Sequence, residues 1–224
     1  MENLPFYVQL LFVVTTILTL WFIYKASSKS NLLLGVFMAW LLLQGFIANT
    51  GFYLITTTLP PRFSLLVVPP VLTILFFFAT KKGRMYLDKF DTKTLTYLHS
   101  VRLPVEITLW LLFLNKLVPE LMTFEGRNLD VLTGITAPLI AYFGYSLGKL
   151  NKFVLLIWNF IGLGLFFNIV ITAILSAPFP FQQLAFDQPN IGVLYFPFVW
   201  LPCFIVPLAL FSHLVCIKEL LKSK

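Results

Sequence analysis

The sequence predicts an all-α membrane protein, built as a bundle of seven transmembrane helices. Of its 224 residues, 59% are hydrophobic and 11% are charged, whereas about a quarter of the residues in a soluble domain are charged. The apolar residues form long continuous runs rather than the alternating strands of a β-barrel. In lipid, such runs satisfy their backbone hydrogen bonds as helices. The same composition excludes a disordered chain, a collagen-like fibre and a disulfide scaffold.

Seven segments approach the roughly 20 apolar residues that a helix needs to cross a hydrocarbon core about 30 Å thick. In chain order, we expect helices near residues 5–24, 32–56, 63–80, 95–118, 131–148, 153–176 and 192–217. The breaks between them contain basic residues, prolines or clustered charges. No polar stretch is long enough for a soluble domain, so residues 1–224 are predicted to form one transmembrane domain.

The basic residues predict the orientation of the bundle. Twelve of the 16 Lys and Arg residues fall on one side, and cytoplasmic loops carry such an excess. We therefore expect the amino terminus outside and the carboxyl terminus in the cytoplasm. The net charge of +7 is spread over these short clusters, which argues against nucleic-acid binding. The twelve are Lys25, Lys29, Lys81, Lys82, Arg84, Lys89, Lys93, Lys149, Lys152, Lys218, Lys222 and Lys224.

The longest cytoplasmic loop, residues 81–94, is basic and also contains apolar side chains. We expect it to lie on the anionic inner surface of the membrane, which attracts Lys and Arg. A protein-docking motif is the alternative interpretation.

Two parts of the chain have similar spacing. Asn31, Asn49 and Pro60 are spaced much as Asn151, Asn168 and Pro178 are. One interpretation is a 3+1+3 internal repeat, with two three-helix halves joined by the fourth helix. Chance similarity between apolar segments is the other.

The fourth predicted helix is the one that carries charge in its middle. Glu106 lies near its centre, with Arg102 and His99 one and nearly two turns toward the cytoplasm, so that the three share one stripe. Pro104 is expected to kink the helix beside them. Charged groups at this depth face a bundle interior or water. Either Arg102 and Glu106 form a neutralising pair, or Glu106 carries a proton or cation while Arg102 holds an anionic ligand.

Polar residues on other helices could face the same cavity, although such residues more often form interhelical hydrogen bonds than ligand contacts. These candidates are Gln44, Asn49, Asn159, Asn168 and Tyr142.

His99 and His213 are the two histidines of the chain, and the predicted orientation places them at about the same depth. Axial ligation of a haem would require such a match, and so would a metal site shared with Cys216. Polar histidines at a helix interface are the simpler interpretation, so we expect no cofactor and keep haem or metal as the alternative.

The predicted outer loop before the fifth helix concentrates charge. We expect Asn128 or Asp130 to cap that helix. A lid over an external opening is the alternative.

Two stretches, HSVRLPVE at 99–106 and MTFEGRNLDVLTGITAP at 122–138, resemble uncharacterised multi-pass membrane proteins of bacteria. The resemblance covers less than a fifth of the chain and implies no activity. It does imply a location in the bacterial inner membrane.

These observations favour a protein that binds or translocates a small anionic or amphipathic solute, and they favour a protein that is not an enzyme. Coupling of this activity to protons through Glu106 is left open. The expected partners are the lipid bilayer and a small-molecule or lipid ligand, and a homo-oligomer is also left open. The alternatives are a membrane redox protein or enzyme with His-ligated haem or metal, and a receptor-like or structural subunit.

Overall fold

The computed structural model describes residues 4–222 and contains helices and loops, without strands, in that part of the chain. The expected all-α architecture is therefore confirmed for these residues. In chain order the α-helices are α1 Phe6–Ala26, α2 Asn31–Asn49, α3 Ser64–Ala79, α4 Lys81–Leu87, α5 Thr92–Leu98, α6 Arg102–Leu114, α7 Val131–Ile140, α8 Lys152–Leu175 and α9 Val206–Lys222.

Five helical segments within residues 4–222 are long and apolar enough to cross a membrane. Helices α3 and α4 form a pair bent by 100°, which would raise the number to six if it counts as one crossing. The apolar helix Val131–Ser146, which joins α7 to a π-helical segment, is shorter. The five are Phe6–Ala26, Asn31–Asn49, Thr92–Leu114, Lys152–Leu175 and Leu201–Lys222.

The last of these segments, Leu201–Lys222, lies at the centre of the fold. Inside the protein, 78% of its apolar window is buried, against 22% for α2 and for α8. It consists of a π-helical segment, Leu201–Ile205, followed by α9. Helix α9 packs against α5 and α8, and α5 packs in turn against α1. The outer helices therefore present most of their apolar surface outward, as a bilayer requires.

Polar side chains fix several helix ends. The Ser30 hydroxyl accepts a hydrogen bond from the Leu33 amide, and the Asn151 side chain accepts one from the Val154 amide. Asp91 does the same for the amides of Lys93 and Thr94. Each bond satisfies a first-turn N–H group that has no partner within its own helix.

Some predicted boundaries need correction. The second helix ends at Asn49 rather than near residue 56, because Gly51 adopts a left-handed conformation with φ of 74°. The seventh begins at about Leu201 rather than near 192, since residues 192–199 form a short 3₁₀ turn followed by further turns.

The fourth predicted helix is interrupted at a single turn. Between α5 and α6, His99–Val101 form a 3₁₀ turn. Pro104 lies in the first turn of α6, where its missing N–H costs no hydrogen bond. The break turns the side chains of His99 and Arg102 into the bundle, where both are buried.

On the side of the fold that carries α4, an ion-pair cluster joins α4 to the end of α9. Asp88, the residue after α4, accepts a hydrogen bond from Lys218 and forms an ion pair with Lys222. These contacts are at the surface, and they tie the last turns of the central helix to the α4 segment.

Candidate functional site

The centre of the site is a buried ion pair between Arg102 and Asp130. Arg102 opens α6 and Asp130 directly precedes α7, and they are 4% and 7% exposed. Nη1 of Arg102 donates to Oδ1 of Asp130. Gly134 allows α7 to approach this closely, since a Cβ there would lie 3.2 Å from Cβ of Arg102. The pair neutralises two charges that would each be costly to bury alone.

A hydrogen-bonded chain leads from Arg102 across the bundle to α8. Nη2 of Arg102 lies 3.2 Å from Nε2 of His213 on α9, and Nδ1 of His213 lies 2.9 Å from Oδ1 of Asn159. Since a guanidinium only donates, Nε2 of His213 must accept and its Nδ1–H must donate to Asn159. The amide of Asn159 then donates to the Leu155 carbonyl at 2.9 Å. The geometry therefore assigns His213 one neutral tautomer.

His99 stacks on His213. The ring centroids are 3.9 Å apart with an angle of 26° between the planes, and the indole of Trp158 lies 5.6 Å from each ring. His99 is fully buried, and neither of its ring nitrogens has a hydrogen-bond partner within the described part of the chain. Within residues 4–222, packing rather than hydrogen bonding therefore positions the imidazole.

Glu106 lies one turn beyond Arg102 on α6 and is 3% exposed. Its Oε1 accepts from Nδ2 of Asn128 at 2.5 Å. Oδ1 of Asn128 accepts from the Asp130 amide at 3.0 Å, so Asn128 links Glu106 to the residue that pairs with Arg102. The second oxygen, Oε2, is buried and has no partner among residues 4–222. One carboxylate oxygen of Glu106 is therefore hydrogen-bonded and the other is not.

The structure contradicts one of the two alternatives for Arg102 and the expected cap by Asp130. The ion pair of Arg102 is with Asp130 and not with Glu106, because the 3₁₀ turn and the Asp130 loop bring a better partner to the guanidinium. Asp130 does not cap α7 with its side chain, which is engaged with Arg102 instead. Residue spacing gives no sign of this contact, since the two residues are 28 positions apart.

The buried cluster lies within a segment that matches a known family. Residues 53–221 match the family described as Domain of unknown function (DUF8737). The chain belongs to this family. The expected membership of a family of unknown function is thereby confirmed. No curated protein and no solved structure matches the chain significantly.

In this DUF8737 protein, the other predicted site residues are divided between the cluster and separate positions. Asn159 belongs to the cluster through His213. Gln44 accepts a hydrogen bond from the Tyr53 hydroxyl, and Asn49 donates to the Gly45 carbonyl of its own helix. Asn168 donates to the Arg127 carbonyl at 2.9 Å, while Tyr142 is 49% exposed. The residues that sequence reasoning missed as members of the cluster are Asn128, Asp130 and Trp158.

The alternative of a haem or metal ligated by histidine does not fit the side chains that are present. Both nitrogens of His213 are engaged, with Arg102 and Asn159. The face-to-face stack prevents His99 and His213 from approaching one iron from opposite sides. Sγ of Cys216 lies 3.7 Å from Oγ1 of Thr96 instead. Within residues 4–222, no group of three His, Cys, Asp or Glu side chains is arranged to hold a metal ion.

Proposed function

We propose that the chain is an integral membrane protein that binds or translocates a small anionic or amphipathic solute, with Glu106 as the group that exchanges a proton. The observation that carries the proposal is the buried Oε2 of Glu106, which has no partner among residues 4–222, beside an ion pair that is already neutral.

The charge balance supports a role for the proton. Arg102 and Asp130 cancel, so the three groups carry a net charge of zero when Glu106 is protonated and −1 when it is ionised. Burial of a charge without a counterion is costly. A change in the protonation of Glu106 would therefore change the affinity of this region for a second charged species.

The cluster also has unused capacity to bind an anion. Nε of Arg102 is buried without a partner in the described residues, as are both nitrogens of His99. A guanidinium offers five donors in a planar fork that matches a carboxylate. A carboxylate solute resembles the Asp130 side chain in charge and shape, so it would compete for the same donors.

We further propose that seven helices cross the membrane. The additional crossings are α3, with 16 residues, and Val131–Ser146. Seven crossings put the two termini on opposite sides, and the charge rule then favours the amino terminus outside and the basic clusters in the cytoplasm. The bacterial inner membrane is proposed on the sequence resemblance alone.

Transport by purified protein in liposomes tests the solute proposal. We expect an imposed pH gradient to drive uptake of at least one member of a panel of labelled monocarboxylates of increasing chain length. Glu106→Gln should abolish the dependence on the gradient while the protein still folds, because the amide cannot exchange a proton. Glu120→Gln, at an exposed position, is the matched control. Proton-driven uptake by the Glu106→Gln protein at the wild-type rate would refute the role of Glu106.

A further inference from the structure

A groove lies at the sharp bend between α3 and α4. Its volume is about 490 Å³. The apolar wall is formed by the last turn of α3 and the ring of Tyr86, and the rim carries two adjacent lysines. The lining residues are Phe76, Phe77, Thr80, Lys81, Lys82, Gly83 and Tyr86.

The bend that shapes the groove is rigidly built. A Cβ at Gly83 would lie 2.3 Å from the Phe77 carbonyl oxygen, so only glycine fits there. Oγ1 of Thr80 accepts from the Gly83 amide at 3.1 Å. Nη1 of Arg84 donates to the carbonyls of Phe78 and Ala79 at 2.9 and 3.2 Å, which satisfies the end of α3. The rings of Phe77 and Tyr86 stack with centroids 5.5 Å apart.

The rim and the wall differ in chemistry. Lys81 and Lys82 are exposed, and neither takes part in an ion pair within residues 4–222. The nearby acid Asp88 is already occupied by lysines of α9. Below the rim, the outer face of α3 exposes Leu72 and Phe76. A ligand that matches both parts has an anionic head and a long apolar tail.

We propose that this groove is a binding site for one anionic phospholipid of the cytoplasmic leaflet. The phosphate lies between Lys81 and Lys82, and an acyl chain follows the exposed face of α3 past Phe76. The site shares with the proposed function only the placement of α3 in the bilayer, and it is independent of any solute at Glu106. The 100° bend supports the assignment, because a crossing α3 would bring α4 close to the plane of the membrane surface.

Native mass spectrometry tests the lipid site. The protein is stripped of lipid in mild detergent and then supplied with phosphatidylglycerol or phosphatidylcholine at equal mole fraction. We expect wild-type protein to retain phosphatidylglycerol roughly tenfold better than phosphatidylcholine, as expected for two lysines near one phosphate. Lys81→Gln/Lys82→Gln should lose this preference, whereas Lys81→Arg/Lys82→Arg should keep it.

Two control variants separate binding in the groove from general attraction of lipid to a basic surface. Lys29→Gln/Lys149→Gln changes the charge equally at exposed lysines elsewhere, and it should retain the lipid like wild type. Glu106→Gln should also retain the lipid like wild type. Failure of the solute-transport assay would therefore not affect the lipid-binding result. Equal retention of the two lipids would overturn the proposal. Loss of the preference for phosphatidylglycerol in either control variant would also overturn it, as would an unchanged preference in Lys81→Gln/Lys82→Gln. Displacement of phosphatidylglycerol by inorganic phosphate at equal concentration would do the same.

Discussion

At the scale of single residues, the buried cluster depends on Arg102, which contacts both Asp130 and His213. Its guanidinium connects the α7 end of the cluster to the central helix. Removal of one partner of a buried ion pair leaves the other charge without compensation, and this penalty exceeds the net value of the pair itself.

Arg102→Leu should therefore lower the free energy of unfolding by on the order of 3 to 5 kcal/mol. The double variant Arg102→Leu/Asp130→Leu should recover most of that loss, because it removes both charges together. Thermal unfolding of the two variants in one detergent measures the difference. Equal stability of the single and double variants would show that Asp130 is not the partner whose charge matters.

Gly162 provides a second test, on the position of the His213 ring. A Cβ at residue 162 would lie 2.5 Å from Cε1 and 2.8 Å from Nε2 of His213. Gly162→Ala should displace the imidazole from Arg102 and cost about 1 to 3 kcal/mol of stability, as overpacking of a core does.

Gly164, two residues further along α8, is the matched control because nothing lies within 4 Å of its added Cβ. Gly164→Ala should be neutral or stabilise the protein by about 0.5 to 1 kcal/mol through helix propensity. Thermal unfolding compares the two alanine variants, and similar effects would mean that α8 does not press against His213.

Part of this cluster could be predicted from the chain itself. A Glu, an Arg and a His in one helical stripe of an otherwise apolar segment singled out the region, because such groups are expensive in lipid. The partner of Arg102 could not be predicted, since helical periodicity relates residues within one helix only. Asp130 resembled an ordinary helix cap, and its role depends on how α6 and α7 pack together.

At the scale of elements, the Asp88 cluster links α4 to α9 by charge. The ammonium groups of Lys218 and Lys222 lower the pKa of Asp88 below its ordinary value of 3.8. A group with a lowered pKa in the folded state stabilises that state above its ordinary pKa. The contribution is lost as the pH falls through the lowered value.

Asp88→Asn should lower the free energy of unfolding by less than about 1 kcal/mol at neutral pH, because the carboxylate is solvent-accessible and screened. Below the lowered pKa, or in about 1 M salt, the variant and wild-type proteins should unfold alike. Thermal unfolding against pH and salt tests this. Asp187→Asn removes an acid that forms no ion pair within residues 4–222 and serves as the control. A difference in stability between Asp88→Asn and wild type that does not change with pH would mean that Asp88 acts through its shape and not through its charge.

The apolar runs predicted the starts of α2 and α8 to within one residue, although the side chains that cap these helices were not predicted. Ser30 and Asn151 cap the helices that they precede. The early end of α2 follows from the left-handed Gly51, and glycine is too permissive for its conformation to be read from sequence.

At the scale of the whole molecule, the topology can be tested with single cysteines. Cys203 and Cys216 are buried, at 1% and 0% exposure, and should remain unlabelled in the folded protein. Lys29→Cys and Lys149→Cys should react with a membrane-impermeant maleimide only from the cytoplasmic side. Glu125→Cys and Phe186→Cys should react only from outside. The result is read from labelling of intact cells and of inverted vesicles.

The comparison between positions 125 and 149 decides the topology, because the short helix Val131–Ser146 lies between them. Labelling of both positions from the same side would show that this helix does not cross, and would reject the seven-helix topology. Alternating labels at all four positions would support it.

The length of that same helix has a consequence for the surrounding lipid. Its 16 residues extend about 24 Å at 1.5 Å per residue, whereas a typical hydrocarbon core is about 30 Å thick. If Val131–Ser146 crosses, the bilayer around it thins locally or flanking side chains extend to the interface. The mismatch would lie at α7, whose first residue directly follows Asp130. A membrane with shorter acyl chains would therefore fit this part of the bundle better than a thicker one.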